Sequence, residues 1–390
     1  MRVCLVRQYY VPLDPRVLRE AQALVAAGHD VDVVCLRDDG EPARARDGRL
    51  RIYRLPIPRR RGGSPLFQLL EYVAFFIAAS AVVTALHLRR RYDVVQANSV
   101  PDVLVFAGLL PRVLGARTVL DLHECMPEFF ASKFKTGPDH VGARLLGRLE
   151  QASIRFADAA VTVTEPMRQQ FIGRGAPPEK ITVVLNGADE TVFDPDRYPP
   201  RPADGEFHLV CHGSIEERYG IDTVIRAVAL LRDELPGLRF QVFGRGTYKP
   251  ELERLATELG VSDRVSFSDG YVAIDELIRA IAEADVGVVA MKQDAFRDLT
   301  IATKMYDFIA MRKPQLMSRT RSVEAYFDDA AFAWFDSDDP HDLARAIRLI
   351  ERDPDGRTRM VEAAALQAED HRWPVNAARY VSVVEGAARR

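Results

Sequence analysis

Short apolar runs alternate along this chain with longer stretches whose apolar residues recur every three or four positions. In the first half, RVCLV (2–6), VDVVCL (31–36), DVVQAN (93–98), RTVLDL (117–122) and AAVTVT (159–164) read as buried strands. Helical periodicity fills the intervals, as in PRVLREAQALVAAG (15–28), where Asp14 can cap the first turn, Pro15 suits its first position and Gly28 its end. The pattern restarts at FHLVCHG (207–213) and continues through LRFQVFG (238–244), RVSFS (264–268) and DVGVVA (285–290). The proline-rich stretch DPDRYPPRPADG separates the two series and reads as a linker over 194–205. Alternation of this kind predicts an α/β protein with two doubly wound, Rossmann-like domains, 1–193 and 206–373. The amphipathic stretch 373–388 predicts a last helix, and its break at Trp373-Pro374 suggests that 374–390 crosses back to the first domain. Doubly wound sheets bind ligands at the carboxyl ends of their strands, and two of them face to face would make a cleft for a small molecule.

Composition narrows the class. The 390 residues are 47% hydrophobic with a net charge of −3, enough for two cores and unlike a disordered or nucleic-acid-binding chain. Residues 1–200 hold 27 Lys+Arg against 23 Asp+Glu and the rest 26 against 33, so charges of +4 and −7 suggest different partners for the two halves. The four cysteines, Cys4, Cys35, Cys125 and Cys211, show neither zinc spacing nor a disulfide framework, so a reducing cytoplasm is expected. The N-terminal run MRVCLVRQYY is too short for a signal peptide and reads as a strand.

The richest segment chemically is DAFRDLTIATKMYDFIAMRKP (294–314). It follows a buried strand and predicts a helix starting near Thr300 or Thr303, either of which could cap it. Its first turns would carry free N–H groups and Lys304, a phosphate site, with Asp307 on the same face to hold a ribose diol. An ordinary surface helix with a solvated lysine gives the same pattern. The strand FHLVCHG ends in SIEERYG, where Gly213 and Gly220 allow close backbone approach and Arg218 is a candidate diphosphate partner. Arg218 could instead be a solvated arginine pairing with Glu216 or Glu217. A second glycine loop, FGRGTYKPEL (243–252), contains Gly244, with Arg245 and Lys249 expected in solvent. The loop SDGYVAIDEL (268–277) offers Tyr271, Val272 and its main chain to a base.

Together these segments resemble the retaining glycosyltransferases of family four, with the GT-B fold, over almost the whole chain. HGSIEERYGIDTVIRA resembles the family's Gly-Arg-Leu…Glu-Lys-Gly segment, VVLNGADETVFDP its Pro-Asn-Gly-Val-Asp…Phe stretch, and KMYDFIAMRKP its Leu-Glu-Ala-Met-Ala-x-Gly-x-Pro stretch. DPRVLREAQALVAAGHDVDVV, YDVVQANSVPD and VLDLHECMPE are similar to the family's acceptor domain. The resemblance implies transfer of a sugar from a nucleoside diphosphate, most commonly UDP, to an acceptor hydroxyl, with retention and with neither cofactor nor metal. Glycan, glycolipid or glycosylated-metabolite synthesis would be the setting. Of two family glutamates eight apart, the second falls on Asp307 and the first on Leu299, which shifts the sugar-hydroxyl contact to Asp298 or to backbone N–H groups near Thr300. The family's basic pair falls on Ser214 and Tyr219, so Arg218 and Lys304 become the substitutes. Arg218–Gly220 with Thr303–Lys304 is similar to an RYG/TK arrangement in a variant branch. The resemblance brings His123 close to donor sugar and acceptor, although a capping or core-edge histidine would look the same. Glu124 and Glu128 would orient the acceptor hydroxyl, Asn98 stands where relatives have a histidine or aspartate, and Asp14 and Arg16 would face the acceptor unless Asp14 is only a cap.

Residues 59–91, RRRGGSPLFQLLEYVAFFIAASAVVTALHLRRR, set a long apolar helix, 66–88, between two arginine triplets. A membrane span is long enough but misplaced between two strands of one domain. A surface helix on anionic lipid, suited to a lipid-linked acceptor, and a buried sheet-packing helix are the remaining readings. Three other functions compete. A sugar-nucleotide epimerase would use the same donor without an acceptor. A nicotinamide-dependent oxidoreductase would need glycines after the first strand, where RQYYVPLDPR has none. A non-catalytic nucleotide-binding subunit would bind without turnover.

Overall fold

The computed structural model describes the chain except for residues 12, 59–64, 138, 203, 271 and 390, and the side chains at 65 and 66. Expectations for Tyr271 and for the first arginine triplet therefore lie outside the described residues. Two compact units result, Met1–Leu185 with Pro374–Arg390, and Asn186–Trp373. The first boundary falls ahead of residue 193 because Ala188, Val192 and Phe193 pack into the apolar cluster of the second unit. The proline-rich stretch lies on that unit too: Arg201 pairs with Asp285 at 3.1 Å, so it is no free linker.

In the first unit β1 (Arg2–Tyr10), β2 (Asp30–Leu36), β3 (Arg44–Asp47), β4 (Leu50–Leu55), β5 (Val94–Asn98), β6 (Arg117–Leu122), β7 (Ala159–Thr162) and β8 (Ile181–Val183) form one sheet. Its order is β3-β4-β2-β1-β5-β6-β7-β8, parallel except for the β3–β4 pair. Continuous burial along β2 and β5 suits strands covered on both faces. β3, RARD, escaped the sequence reading because it is a charged, exposed edge with no apolar run. Register aligns Arg7 with Asn98 and Asn98 with Asp121, so three polar residues meet at the ends of β1, β5 and β6.

The second unit contains β9 (Phe207–His212), β10 (Leu238–Phe243), β11 (Val265–Phe267), β12 (Val286–Val289), β13 (Gln315–Ser318) and β14 (Ala333–Phe335). The all-parallel order is β11-β10-β9-β12-β13-β14. Each unit is thus a doubly wound sheet, as the alternation predicts. The last helix, Trp373–Arg389, docks on the first unit: Asn376 accepts the Leu185 N–H at 2.9 Å, and the buried Tyr380 hydroxyl donates to Gln96 at 2.8 Å.

Candidate functional site

Strand order in the second unit reverses between β9 and β12, and their carboxyl ends form a crevice there. Glycines let the loops close over it. The Gly213 N–H donates to the Phe243 carbonyl at 2.9 Å and the Ile215 N–H to the Arg245 carbonyl at 3.0 Å, which zips the two glycine loops together. A Cβ on Gly244, whose φ is +148°, would stand 1.8 Å from the Gly213 oxygen. One on Gly220, at φ +61°, would stand 1.8 Å from the Ala290 oxygen. The turn at Gly220 opens the helix Ile221–Leu230, and the Lys292 N–H holds the Arg218 carbonyl at 3.0 Å.

Lys304 enters this crevice from the helix Lys304–Ala310. It is 7% exposed, too buried for a solvated surface lysine. Its ammonium lies 3.5 Å from Cys211 Sγ and 4.8 Å from the centre of the Tyr219 ring. No described carboxylate pairs with it. Burying an ammonium without an acid is costly, and an anion placed here would offset that cost. Arg218 is exposed, stacks on the same Tyr219 ring at 5.2 Å, and pairs with neither Glu216 nor Glu217 among the described residues.

A third cation was not evident from sequence. Arg297, in the short turn before the Lys304 helix, is half-buried and ion-paired with Asp294. Burial lowers its pKa against the pull of Asp294, and the Arg218 charge adds to the effect. Its Nε is buried with no hydrogen-bond partner among the described residues. Nothing local in AFRDLT separates this arginine from any surface arginine. His212, the last residue of β9, was missed for the same reason. Its Nε2 lies 3.6 Å from the Asp307 carboxylate and its ring meets Phe308 edge-on at 5.2 Å. Burial, with Lys304 adding, pushes its pKa down to about 3, so the imidazole is neutral at pH 7. Lys304 and Asp307 thus reach the same strand end, as their spacing predicts.

Other expectations for this unit need correction. Neither Thr300 nor Thr303 caps the helix: Thr303 has helical φ and ψ with no side-chain cap bond, and the Thr300 hydroxyl donates to the Arg297 carbonyl at 3.3 Å. The first turn is not free either, because the N–H groups of Met305, Tyr306 and Asp307 bond to Ala302 and Thr303 carbonyls. The Asp298 carboxylate accepts from the Gln293 amide at 3.0 and 3.2 Å and from the Arg321 N–H at 3.4 Å. It is already engaged within its own loop cluster. Leu299 is buried, and its N–H and that of Thr300 bond to Phe296 and Arg297, which closes the backbone alternative. Gly213 and Ser214 are exposed at the crevice. Val272 lines a pocket of about 310 Å³ with Val242, Phe243 and Ser268. The one carboxylate–histidine group among the described residues able to hold a metal, Asp204, Glu206 and His208, sits at the opposite end of β9.

In the first unit the polar residues form a buried network. Arg16 binds both oxygens of Asp121 at 2.9 and 3.0 Å, with Glu20 at 3.2 Å. Asn98 donates to Glu20 at 2.7 Å and to Asp121 at 2.9 Å. Burial and Asp121 raise the Glu20 pKa well above normal; burial also pushes on Asp121, but Arg16 and His123 together overcome it and hold Asp121 well below its usual value. Arg16 and Asn98 are therefore consumed inside the unit and do not face an acceptor. Asp14 caps the helix Pro15–Ala26 through the Arg16 and Val17 N–H groups and pairs with Arg7 at 2.7 Å. Glu128 accepts from Arg174 at 2.6 Å and Gln170 at 2.7 Å, so it too is engaged. Glu124 is half-buried in the loop after β6. His123 lies beside it, with Nε2 on Asp121 at 2.5 Å and its N–H on the Ser99 hydroxyl at 3.0 Å. Burial depresses its pKa in spite of Asp121, so it is neutral at pH 7.

Comparison with known proteins accounts for both units. Residues 13–187 match the glycosyl transferase 4-like domain and residues 193–367 the glycosyl transferases group 1 domain. A D-inositol 3-phosphate glycosyltransferase of Thermomonospora curvata is 28% identical over 268 residues, 63% of this chain and 60% of that protein. The chain thus spans about three fifths of that relative's length. Sucrose-phosphate synthase from Thermosynechococcus elongatus shares the fold, with a TM-score of 0.78 at 18% identity over 99% of this chain and 98% of that one. Anabaena HepE, solved in complex with UDP-glucose, gives a TM-score of 0.73 at 15% identity, covering 99% and 100%. These likenesses are those of the GT-B fold.

Proposed function

Because the chain belongs to the family-four-like glycosyltransferases, we propose that it moves a glycosyl group from a nucleoside diphosphate sugar, UDP foremost, to an acceptor hydroxyl, with retention and without a metal. The observation that carries this reading is the buried ammonium of Lys304, unpaired by any described carboxylate, at the glycine-lined end of β9. Lys304, Arg218 and Arg297 would hold the diphosphate and stabilise it as it leaves. Asp307, beside neutral His212, would take sugar or ribose hydroxyls. The pocket at Val242, Phe243 and Val272, whose remaining walls include Ser268, Asp269 and Glu276, would take the base between apolar side chains and polar hydrogen-bonding groups.

In the reaction, the acceptor oxygen bonds to the anomeric carbon as that carbon's bond to the β-phosphate oxygen breaks. The acceptor proton passes to the leaving phosphate on the same face, which retains configuration. In the N-terminal unit, His123 and Glu124 would serve the acceptor; a neutral imidazole held by Asp121 is an oriented hydrogen-bonding group. Four buried, unbridged cysteines fit a reducing cytoplasm. A lipid-linked acceptor suits the exposed apolar helix Pro65–Arg90.

The test is calorimetric titration with UDP, GDP, ADP and TDP, followed by incubation with the matching sugar nucleotides. Binding of one nucleotide, with slow donor hydrolysis that preserves the anomer, is the expected result. No binding of any of the four removes the donor-site assignment. Binding without hydrolysis or transfer favours a non-catalytic subunit, and epimer formation without acceptor favours an epimerase.

A further inference from the structure

Fourteen of the twenty exposed large apolar side chains among the described residues fall on four helices of the first unit and their caps. The helices are Pro65–Arg90, Leu109–Val113, Met126–Phe134 and Val141–Phe156. Chain topology puts them on one side of the sheet. The connections β4→β5, β5→β6 and β6→β7 all step the same way along it, and right-handed crossovers that step the same way lie on the same face. The connection β1→β2 steps the other way and takes Pro15–Ala26 to the opposite face. Contacts join the four into one patch. Pro65–Arg90 packs on Leu109–Val113, and Met126–Phe134 on Val141–Phe156. Lys133 Nζ then donates to Gln68 Oε1 at 3.4 Å and ties the pairs together.

The patch is apolar and cationic at once. On Val141–Phe156 the outward positions Val141, Arg144, Leu145, Arg148 and Leu149 follow helical spacing, with Val141 69% and Leu145 54% exposed. Arg144 and Arg148 make no ion pair among the described residues. The acids of the neighbouring turns, Glu128 and Glu150, are already held by Arg174. On Pro65–Arg90, Phe75, Ala79, Val83 and His87 are buried against the unit, while Leu69, Leu70, Val73 and Ile77 stand in solvent. This helix is long and apolar enough to cross a bilayer. Yet both its ends lead into parallel strands of one sheet, so it cannot span one.

We propose that this four-helix face docks on an anionic phospholipid leaflet. Leucine, valine and isoleucine would enter the acyl boundary, with Arg144, Arg148, Lys133 and Lys135 at the headgroups. The site is discontinuous in sequence, and half of it lies outside the apolar segment that first suggests lipid. Contiguous apolar area of this kind on a monomer marks an interaction surface, and interspersed unpaired cations select lipid phosphate over a purely apolar partner.

The test is flotation with phosphatidylglycerol-containing vesicles and with pure phosphatidylcholine vesicles, at low and high salt, without nucleotide or acceptor. Its outcome is thereby independent of the glycosyl-transfer reading. Wild type is compared with Arg144→Glu/Arg148→Glu and with Ile77→Glu/Leu145→Glu, all surface changes whose folding is checked by thermal melting. The expected result is salt-sensitive flotation with the anionic vesicles, reduced about tenfold or more in each double variant. Failure to float at low salt, or unchanged flotation in both variants, overturns the proposal. So does a concentration-dependent dimer that the same substitutions dissolve without any vesicle binding, because the face would then cover a second copy.

Discussion

The ammonium of Lys304 stands 4.8 Å above the ring of Tyr219. Arg218 stacks on the same ring at 5.2 Å, so one aromatic side chain collects both flexible cations at the mouth of the crevice. Ring quadrupole attraction supplies some of what a carboxylate would give, without neutralising the site. The family resemblance puts a basic residue where Tyr219 stands. Here a tyrosine takes that position, and the nearby cation, Lys304, comes from the helix Lys304–Ala310 and rests against its ring.

Lys304→Met tests this arrangement. Methionine fills similar volume without a charge, so the melting temperature should hold or rise. Nucleotide affinity should fall by about ten- to a hundredfold, the worth of a charged hydrogen bond at ~1.5–3 kcal/mol. Titration calorimetry with the preferred nucleotide reads the second effect and scanning calorimetry the first. A variant that binds as tightly as wild type would remove Lys304 from the diphosphate site.

The glycine loops give a stability contrast. Gly244→Ala places a methyl 1.8 Å from the Gly213 oxygen, whereas Gly28→Ala, at φ +86°, meets nothing within 4 Å. Backbone strain alone should make the Gly28 change cost about 1–2 kcal/mol. The Gly244 change must also push the hydrogen-bonded loops away from each other and should exceed about 4 kcal/mol. Urea unfolding of the two variants compares them directly, and equal costs would mean the loops are not locked together.

His212 predicts a pH dependence. Its folded pKa is about 3 and its unfolded value near 6.5. Below 6.5 the unfolded chain takes a proton that the folded chain refuses. Stability from this residue is therefore fully present above about pH 6.5 and is lost as pH falls toward 3, by about 1.4 kcal/mol per unit once well below 6.5. His212→Gln should show a shallower fall between pH 6.5 and 4 than wild type in urea midpoints taken at several pH values. Parallel curves would show that the imidazole titrates normally.

Arg16→Met should behave as a lesion in the core. It would leave the ionised Asp121 buried without its bidentate partner, beside Glu20, at a cost of about 3–5 kcal/mol. Tyr380→Phe removes one buried hydrogen bond to Gln96 and should cost about 1 kcal/mol. Denaturation midpoints distinguish the two. An Arg16 variant as stable as wild type would return this residue to the pool of acceptor ligands.

Much of the frame was legible in the sequence because strand and helix periods are local. Runs such as VDVVCL and FHLVCH declare themselves within six residues, and the Lys304–Asp307 spacing fixes a shared helix face whatever surrounds it. The return of the last helix at Trp373-Pro374 was readable from a single break in pattern. The edge strand β3 was not, since exposure removes the apolar signal. What only the tertiary structure decided is which polar groups are already satisfied. Arg16 and Asp121 are 105 positions apart and meet only because β1, β5 and β6 lie side by side in register. Arg321 reaches Asp298 from 23 residues away, while Lys304 meets no acid among the described residues at all. Periodicity sets where a side chain points along its own element. Whether its charge is spent or left for a ligand depends on what the sheet order brings opposite it.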